Sequence, residues 1–449
     1  MSPKSLHRVR IAALFSLLLS SVASEFVFIP HSSPVQNPLR DPAICRVSRD
    51  GVSTSSFPLT HPPTCYQIPV PNAQTGIEIQ DFCIYTNSLF GDGRGVSLIT
   101  SPEVMSSMTA ETFYFEEERV EGKEEGEYEA VETEERGIGL VAKKDIIAGD
   151  VYMTKTPVLL VAQGALSGDS RAVRYEMLRK AVSQLPSKTQ DLFFGLVGSK
   201  GGDVVNDILQ TNSVRMSFEG MGHLGVVPEA ARINHACRPN SYYRFSDTSL
   251  TLSVFALRNI STSSELSFSY GFSSLPHTER QQAIKDNWSF ECTCALCTAP
   301  PSARAESDER LARIKEIKEN LPDEPGRAPE LISWLPELIE LLDTEGLITE
   351  RPQFEEILAY SWSALGHEER AKYWARRARM GWEIVAGKES NEAGRCGVLE
   401  QWVKRHPSWE MWKDIMLEED HKVDYDGFVH EHEHEHEHDH HGHDHHHHH

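Results

Sequence analysis

Three short motifs follow one another between residues 232 and 297, and together they limit the possible folds more than any other part of the sequence. They are RINHACRPN (232–240), ELSFSYGF (265–272) and WSFECTCALC (288–297), and the glycine-bearing segment GIGL (137–140) precedes them. An Asn-His pair or a CxCxxC spacing alone would be a modest signal. All of them in this order are hard to obtain by chance, and they predict one folded unit that brings the motifs together.

The order and spacing of these motifs resemble those of SET-domain protein lysine methyltransferases, most of all the fungal and split-SET branches, over roughly residues 128–297. The resemblance implies an α+β fold of small curled β-sheets with a helical insertion. In this fold the segment that ends at Tyr270 threads beneath the loop that carries NHACRPN, a rare exception to the rule that protein chains are not threaded. The implied reaction is transfer of a methyl group from S-adenosylmethionine to a lysine side chain of a protein.

The resemblance also assigns residues to the cofactor S-adenosylmethionine. A glycine lets the backbone approach a ligand closely, and a side chain at either glycine of GIGL would crowd the cofactor. An amide and an imidazole supply hydrogen-bond donors and acceptors to its polar edges, and an aromatic ring of the third motif would stack near its adenine. The cofactor-binding residues implied in this way are Gly137, Ile138, Gly139, Asn234, His235, Tyr270 and Phe290.

Tyr270 is the implied catalytic residue, with its hydroxyl at the place where the target amine meets the methyl group of the cofactor. The reaction needs a neutral lysine amine and a methyl group that the sulfonium has already activated. The protein therefore mainly supplies alignment, desolvation and an exit for a proton. No acid, metal or covalent nucleophile is required for the chemistry itself.

Four cysteines have the spacing of a structural metal site, three in CxCxxC and one in NHACRPN. Four thiolates typically hold zinc in tetrahedral geometry. By resemblance to post-SET segments, closing this site would pin the C-terminal flap against the knot and complete the cofactor and lysine pockets. Because the N-terminus is typical of a secreted protein, a pair of disulfides is the competing interpretation. The four residues are Cys237, Cys292, Cys294 and Cys297.

Some residues depart from the family pattern. Ala236 replaces the usual serine of NHSC, and ISTSSEL (260–266) lacks the common glycine and second acid before Tyr270. Ile138 stands where an arginine is often found, so any contact by that side chain is lost. The chain has no cysteine between Leu160 and Arg232. The MYND zinc finger of some relatives is therefore absent, and its partner-binding role does not carry over.

Residues 1–24 are typical of a secretory signal peptide. Lys4, Arg8 and Arg10 precede an apolar run at Ile11–Leu19, followed by small residues. The run is too short to span a bilayer, so no stable membrane span is expected after cleavage, and an uncleaved anchor is the alternative. The predicted location is the secretory pathway or the extracellular space, with the nucleus or cytoplasm as the alternative.

The region 25–127 is predicted to be rich in loops and to contain β-strands, and it ends in an acidic linker. A hairpin is expected around the turn GDGRG (91–95). The SET domain follows at 128–271. One disulfide is possible among three cysteines in the N-terminal region, and the sequence leaves its pairing open. These are Cys45, Cys65 and Cys83.

The post-SET zinc segment is placed at 272–300, and residues 301–425 are predicted to be helical. Two interpretations of the helical region stay open, a tetratricopeptide-like helix pair with a turn at Gly366 and an ordinary helical bundle. Residues 426–449 form a histidine-rich tail that cannot bury a core and is predicted to be disordered. Loose metal binding by the tail and an expression-tag origin are both compatible with its composition.

A formal net charge of −23 argues against direct binding of nucleic acid, which favours a basic face. It is compatible with a protein substrate that presents its target lysine on a basic tail, such as that of a histone, or with a non-histone protein of the secretory pathway. The alternative function is a catalytically inactive SET-fold interaction protein with a metal-binding histidine-rich tail. A secreted metal-scavenging protein is a third hypothesis.

Overall fold

The computed structural model of the protein describes residues 58–72, 76–108, 126–133, 136–168, 170–322 and 328–413. The segment predicted as a signal peptide, Cys45, most of the acidic linker and the histidine-rich tail lie outside these residues. The described chain combines small β-sheets with helices, and the C-terminal part is helical. The predicted α+β class is therefore confirmed. None of the described helices has both the length and the apolar character needed to cross a membrane.

The largest sheet joins two distant parts of the chain in the order β1-β2-β3-β7-β9-β8. β2 and β3 pair antiparallel across the GDGRG turn, which confirms the predicted hairpin, and β3 pairs in parallel with β7. β3 and β7 are buried at every residue, as expected for strands covered on both faces. The strands are β1 Thr64–Asn72, β2 Gly76–Asn87, β3 Val96–Thr100, β7 Leu159–Ala162, β8 Val214–Phe218 and β9 Met221–Val226.

This sheet crosses the position at which the sequence analysis places a domain boundary. The β3–β7 pair links the N-terminal region to the unit that begins at Tyr128. Cys65 in β1 and Cys83 in β2 are register partners and form a disulfide, which is the pairing that the sequence left open. The N-terminal strands are thus built into the sheet of the central unit, and the exact domain boundaries stay a prediction.

Three smaller sheets surround the motifs. β4 pairs with β5, β6 and β11 flank β12, and β10 pairs in parallel with β13. Apolar residues of most of these strands and of β2, β3 and β8 meet in one buried cluster. The strands are β4 Tyr128–Thr133, β5 Gly137–Ala142, β6 Val151–Lys155, β10 Asn234–His235, β11 Ser241–Ser246, β12 Thr251–Ala256 and β13 Ser267–Phe268.

The helical insertion packs on the other face of the large sheet. Its predicted apolar face is buried, including Met177, Leu178 and Val182, but Pro186 divides it into two helices because proline cannot donate the backbone hydrogen bond of a continuous helix. Ser170 and Asp203 cap two of the helices by accepting from backbone N–H groups. The helices are α1 Pro102–Ser107, which follows β3, and α2 Arg171–Ser183, α3 Ser187–Phe194 and α4 Val204–Asn212; single helical turns lie at Phe90–Gly93, Gln163–Leu166 and Ala230–Arg232.

From Pro301 onward, the C-terminal helices pack against one another in chain order. The apolar face predicted around Leu335 is buried despite Pro336 in the same helix, and the predicted turn at Gly366 has the positive φ of 81° that glycine adopts readily. Whether these helices form a repeat or an ordinary bundle stays open. The helices are α5 His277–Trp288, α6 Pro301–Asn320, α7 Ala328–Thr344, α8 Arg351–Ala364, α9 Glu368–Val385 and α10 Asn391–Trp402, followed by a 3₁₀ turn at Val403–Arg405.

Candidate active site and thiol cluster

The first two motifs meet along a short parallel strand pair. Asn234 and His235 in β10 lie beside Ser267 and Phe268 in β13. Asn240 fixes this pair further, because its Nδ2 donates to the carbonyl of Glu265 at 2.8 Å and its Oδ1 accepts from the N–H of Ser267 at 2.8 Å. Residues far apart in sequence are thus held side by side by backbone and amide hydrogen bonds.

Tyr270 lies just beyond β13 and is held from two sides. Its hydroxyl donates to the carbonyl oxygen of Ile233 at 3.0 Å, and its backbone N–H donates to Nδ1 of His235 at 3.0 Å. The ring centroid lies 5.2 Å from those of His235 and Trp288. Burial, followed by the nearby Glu265 carboxylate, raises the pKa of Tyr270 to about 12. The side chain is therefore a neutral, oriented phenol at neutral pH.

His235 is a buried link between Tyr270 and the cysteines. Its Nδ1 accepts from the Tyr270 N–H, so the ring proton lies on Nε2, which is 3.4 Å from Sγ of Cys237. Burial lowers the pKa of His235 to about 4. Both ring nitrogens therefore have partners within the protein. The contact between His235 and the cofactor stays a prediction.

Gly137 and Gly139 are required for different reasons. Gly137 has a φ of 68° with open space around it, whereas a Cβ on Gly139 would lie 2.8 Å from Nδ2 of Asn234 and 3.0 Å from Oε1 of Glu265. The absence of a side chain at Gly139 is therefore explained by the protein itself. Ile138, between them, is 44% exposed.

Glu265 is a site residue that the sequence analysis did not assign. Its Oε1 accepts from Nδ2 of Asn234 at 3.0 Å, and its Oε2 accepts from Nη2 of Arg136 at 2.6 Å. The pair Arg136–Glu265 thus orients the amide of Asn234 beside GIGL. The only sequence signal was the acid before LSFSY, and nothing in the sequence pairs it with Arg136.

The third motif closes over Tyr270 with two aromatic rings. Phe290 is partly exposed, and its centroid lies 6.3 Å from that of His235 and 6.5 Å from that of Tyr270, edge to face. Trp288 was not assigned from the sequence. Its Nε1 donates to the carbonyl of Thr211 at 3.2 Å, which ties the motif to helix α4. Tyr270 therefore lies under an aromatic wall built from α5 and the segment after it.

The four predicted cysteines come together in one cluster. Their Sγ atoms all lie within 4.8 Å of one another, and Cys237 is 3.8 Å from Cys292 and 3.5 Å from Cys297. Sulfurs bound to one tetrahedral zinc ion lie about 3.8 Å apart, so the set fits zinc in number, chemistry and spacing. All four are free thiols. The structure therefore contradicts the competing interpretation that these four cysteines form two disulfides.

Comparison with known proteins identifies the domain that carries the first two motifs and GIGL. Residues 137–271 match the family model of the SET domain. The chain therefore contains a SET domain, which confirms the resemblance noted in the sequence and the predicted fold.

Three curated relatives are each similar to part of the chain. Histone-lysine N-methyltransferase set5 of Schizosaccharomyces pombe is 25% identical over 42% of this chain and 54% of its own length. N-lysine methyltransferase SMYD2-A of Danio rerio is 28% identical over 29% of this chain and 28% of its own. Histone-lysine N-methyltransferase SMYD3 of Homo sapiens is 30% identical over 21% of this chain and 24% of its own. The chain spans about half or less of the curated relatives that it matches.

Proposed function

We propose that the protein is an S-adenosylmethionine-dependent protein-lysine N-methyltransferase. The observation that carries the proposal is the placement of Tyr270, which lies just beyond the strand that pairs with Asn234 and His235 and under the aromatic wall of the third motif. Relatives with the same domain are named as lysine methyltransferases. A fold alone does not establish an activity, and so the proposal rests on the site.

The residues around Tyr270 fit S-adenosylmethionine. The backbone at Gly137 faces open space, Ile138 is exposed, and Phe290 offers a partly exposed ring. We assign cofactor contacts to these residues, to Gly139, Asn234 and the ring of Tyr270, and to the backbone of His235. When bound, the cofactor supplies a methyl group that is already activated by its positive sulfur.

Side chains around Tyr270 would then align the lysine amine with the methyl group of the cofactor. The neutral phenol of Tyr270 is fixed by its hydrogen bond to Ile233 and can orient the lysine amine, which must arrive uncharged. We assign to Trp288 and Phe290 the role of limiting the access of water to the amine once the reactants are bound, because desolvation favours the uncharged amine. Glu265 is occupied by Arg136 and Asn234, so its role is to position Asn234 and not to accept a proton from the amine.

We propose a protein substrate whose target lysine lies in a basic segment, attracted by the net charge of −23. We also propose the secretory pathway as the location. The N-terminal signal pattern supports it, and so does the Cys65–Cys83 disulfide, since disulfides persist in oxidising compartments.

The test is calorimetric titration of the purified, zinc-loaded protein with S-adenosylmethionine, for wild type and Asn234→Ala. We expect the affinity to fall roughly tenfold or more in the variant. Asn212→Ala, which removes an amide bonded to the Val197 and Ile208 carbonyls in the insertion, serves as the control. Absence of binding by well-folded wild type would leave an inactive interaction module.

The catalytic assignment is tested with Tyr270→Phe. Methyl transfer to a lysine-containing peptide library should slow by roughly 100-fold, while cofactor affinity changes little. Tyr243→Phe is the matched control, because the Tyr243 hydroxyl also donates to a backbone carbonyl, that of Arg215 at 3.1 Å, outside the site. Equal rates for wild type and Tyr270→Phe would remove Tyr270 from the mechanism.

A further inference from the structure

Helix α5 carries an arginine whose surroundings differ from those of the other buried cations. Arg280 is 1% exposed, and no carboxylate lies within ion-pair distance of its guanidinium in the described residues. Its Nη1 donates to the carbonyl of Leu275, while the buried Nε has no hydrogen-bond partner among the described atoms. A buried cation of this kind is costly unless an anion lies nearby.

The anion that the structure offers is the thiol cluster. Ile284, one turn after Arg280 on the same face of α5, packs in one cluster with Cys237, Cys292 and Cys297. The side chains of Cys237 and Cys297 also lie within interaction distance of the Arg280 guanidinium. Four thiolates around one Zn²⁺ carry a net charge of about −2. This negative charge would be the counter-ion of the Arg280 guanidinium, which has no carboxylate partner within ion-pair distance in the described residues.

The neighbouring residue on α5 holds the cluster in a second way. Nε2 of Gln281 donates to the carbonyl of Cys292 at 2.8 Å, and its Oε1 accepts from the N–H of Cys292 at 2.9 Å. One side-chain amide thus satisfies both backbone groups of a ligand residue, as a paired strand would. This fixes the start of the CxCxxC segment against the helix.

We propose that Arg280 and Gln281 are the positioning residues of the metal site: Arg280 balances the negative charge of the zinc tetrathiolate, and Gln281 fixes the backbone of Cys292. The proposal rests on zinc as the resident metal of the four cysteines. It makes α5 a support of the metal site on one side and, through Trp288 at its end, of the aromatic wall over Tyr270 on the other.

The experiment measures Zn²⁺ affinity by competition with a chromophoric chelator, for the full-length protein and its variants. Loss of outer contacts to a metal site typically costs roughly 10- to 100-fold in metal affinity. We expect a loss of this size for Arg280→Met, a smaller loss for Arg280→Lys, which keeps the charge, and about tenfold for Gln281→Ala. Lys285→Met and Gln282→Ala alter exposed residues of the same helix and should bind Zn²⁺ like wild type.

A second readout separates charge balance from simple packing. Thermal unfolding is followed with and without Zn²⁺. If Arg280 serves the metal complex, Arg280→Met lowers the melting temperature of the zinc-loaded protein and leaves that of the metal-free protein unchanged or higher, because a buried unpaired charge has been removed. Equal losses in both states would overturn the proposal, as would wild-type Zn²⁺ affinity in Arg280→Met. Absence of stoichiometric Zn²⁺ in wild type would instead refute the metal site itself.

Discussion

His223 in β9 is a buried histidine remote from the proposed active site. It is fully buried, its Nδ1 bonds the carbonyl of Met221 at 2.9 Å, and its Nε2 bonds Oγ1 of Thr100 at 3.0 Å. Burial lowers its pKa to about 4. The unfolded chain therefore takes up a proton near pH 6.5 while the folded protein does not, so stability falls as the pH drops from about 6.5 towards 4.

This effect predicts a measurable difference between two proteins. At pH 4 the contribution of His223 would amount to roughly 3 kcal/mol of lost stability, and at pH 5 to roughly 2 kcal/mol. In urea unfolding at pH 7 and pH 5, His223→Gln should lose less stability than wild type by about the latter amount. His61→Gln, which changes a histidine before β1, is the control. The same pH dependence in wild type and His223→Gln would contradict the assignment.

At the residue scale the sequence predicted which side chains converge but not how they are engaged. The order of the motifs predicted that Asn234, Tyr270 and the four cysteines lie close together in the fold. It did not reveal that His235 uses both ring nitrogens inside the protein, nor that Arg136 orients Asn234 through Glu265. Each of these depends on a contact between distant segments, and no local pattern encodes such a contact.

Between elements, one buried carboxylate joins the SET domain to the C-terminal helices. Glu345, just after α7, is 4% exposed and accepts from Arg238, Ser307 and Arg310. Burial alone would raise the pKa of Glu345, but these hydrogen bonds lower it. Arg238 also donates to the carbonyls of Cys237 and Ser273, so the first motif is tied to the helical region through this carboxylate.

Glu345→Gln should therefore destabilise the protein much more than an exposed change on the neighbouring helix. Breaking a largely buried ion pair leaves an uncompensated charge, and we expect a loss of about 2 to 3 kcal/mol in the free energy of unfolding. Glu337→Gln in α7 removes a partly exposed partner of Arg313 and should cost less than about 1 kcal/mol. Chemical denaturation of both variants measures the difference. Similar losses would show that the hydrogen bonds of Glu345 stabilise the fold no more than an exposed ion pair does.

Elements formed by local patterns were predictable, and the pairing of distant elements was not. The hairpin around GDGRG, the apolar face of α2 and the turn at Gly366 follow from residues close in sequence. The parallel pair of β3 and β7 joins strands separated by the acidic linker. Parallel pairing needs a long connection and has no turn signature, which is why the N-terminal region was predicted as a separate unit.

The whole molecule contains both a disulfide and a cluster of free thiols, and these two features need different redox conditions. Cys65 and Cys83 form a disulfide, whereas the four clustered cysteines are free and close enough to oxidise one another. An oxidising compartment that preserves the first would threaten the second, and a bound metal resolves the conflict because it occupies the thiolates. We therefore expect both features to coexist in such a compartment only when a metal such as zinc occupies the cluster.

Metal removal should accordingly loosen one part of the molecule more than the rest. The cluster ties Cys237 in the first motif to the segment 292–297, which follows Trp288 and Phe290 over Tyr270. A ligand present at about 1,000 times its Kd stabilises the folded state by about 4 kcal/mol, so stripping zinc should lower the melting temperature by roughly 10 °C.

Hydrogen exchange followed by mass spectrometry locates the change. After chelation, peptides that cover 288–300 should exchange faster, and the affinity for S-adenosylmethionine should fall because the aromatic wall over Tyr270 is released. Helices α8 and α9, whose core around Trp362 is independent of the cluster, should exchange at the same rate and serve as the internal control. Zinc added back should restore both properties. If exchange in 288–300 stays as slow without metal as with it, the protein contacts of this segment alone hold it in place, and the thiol cluster has no structural role.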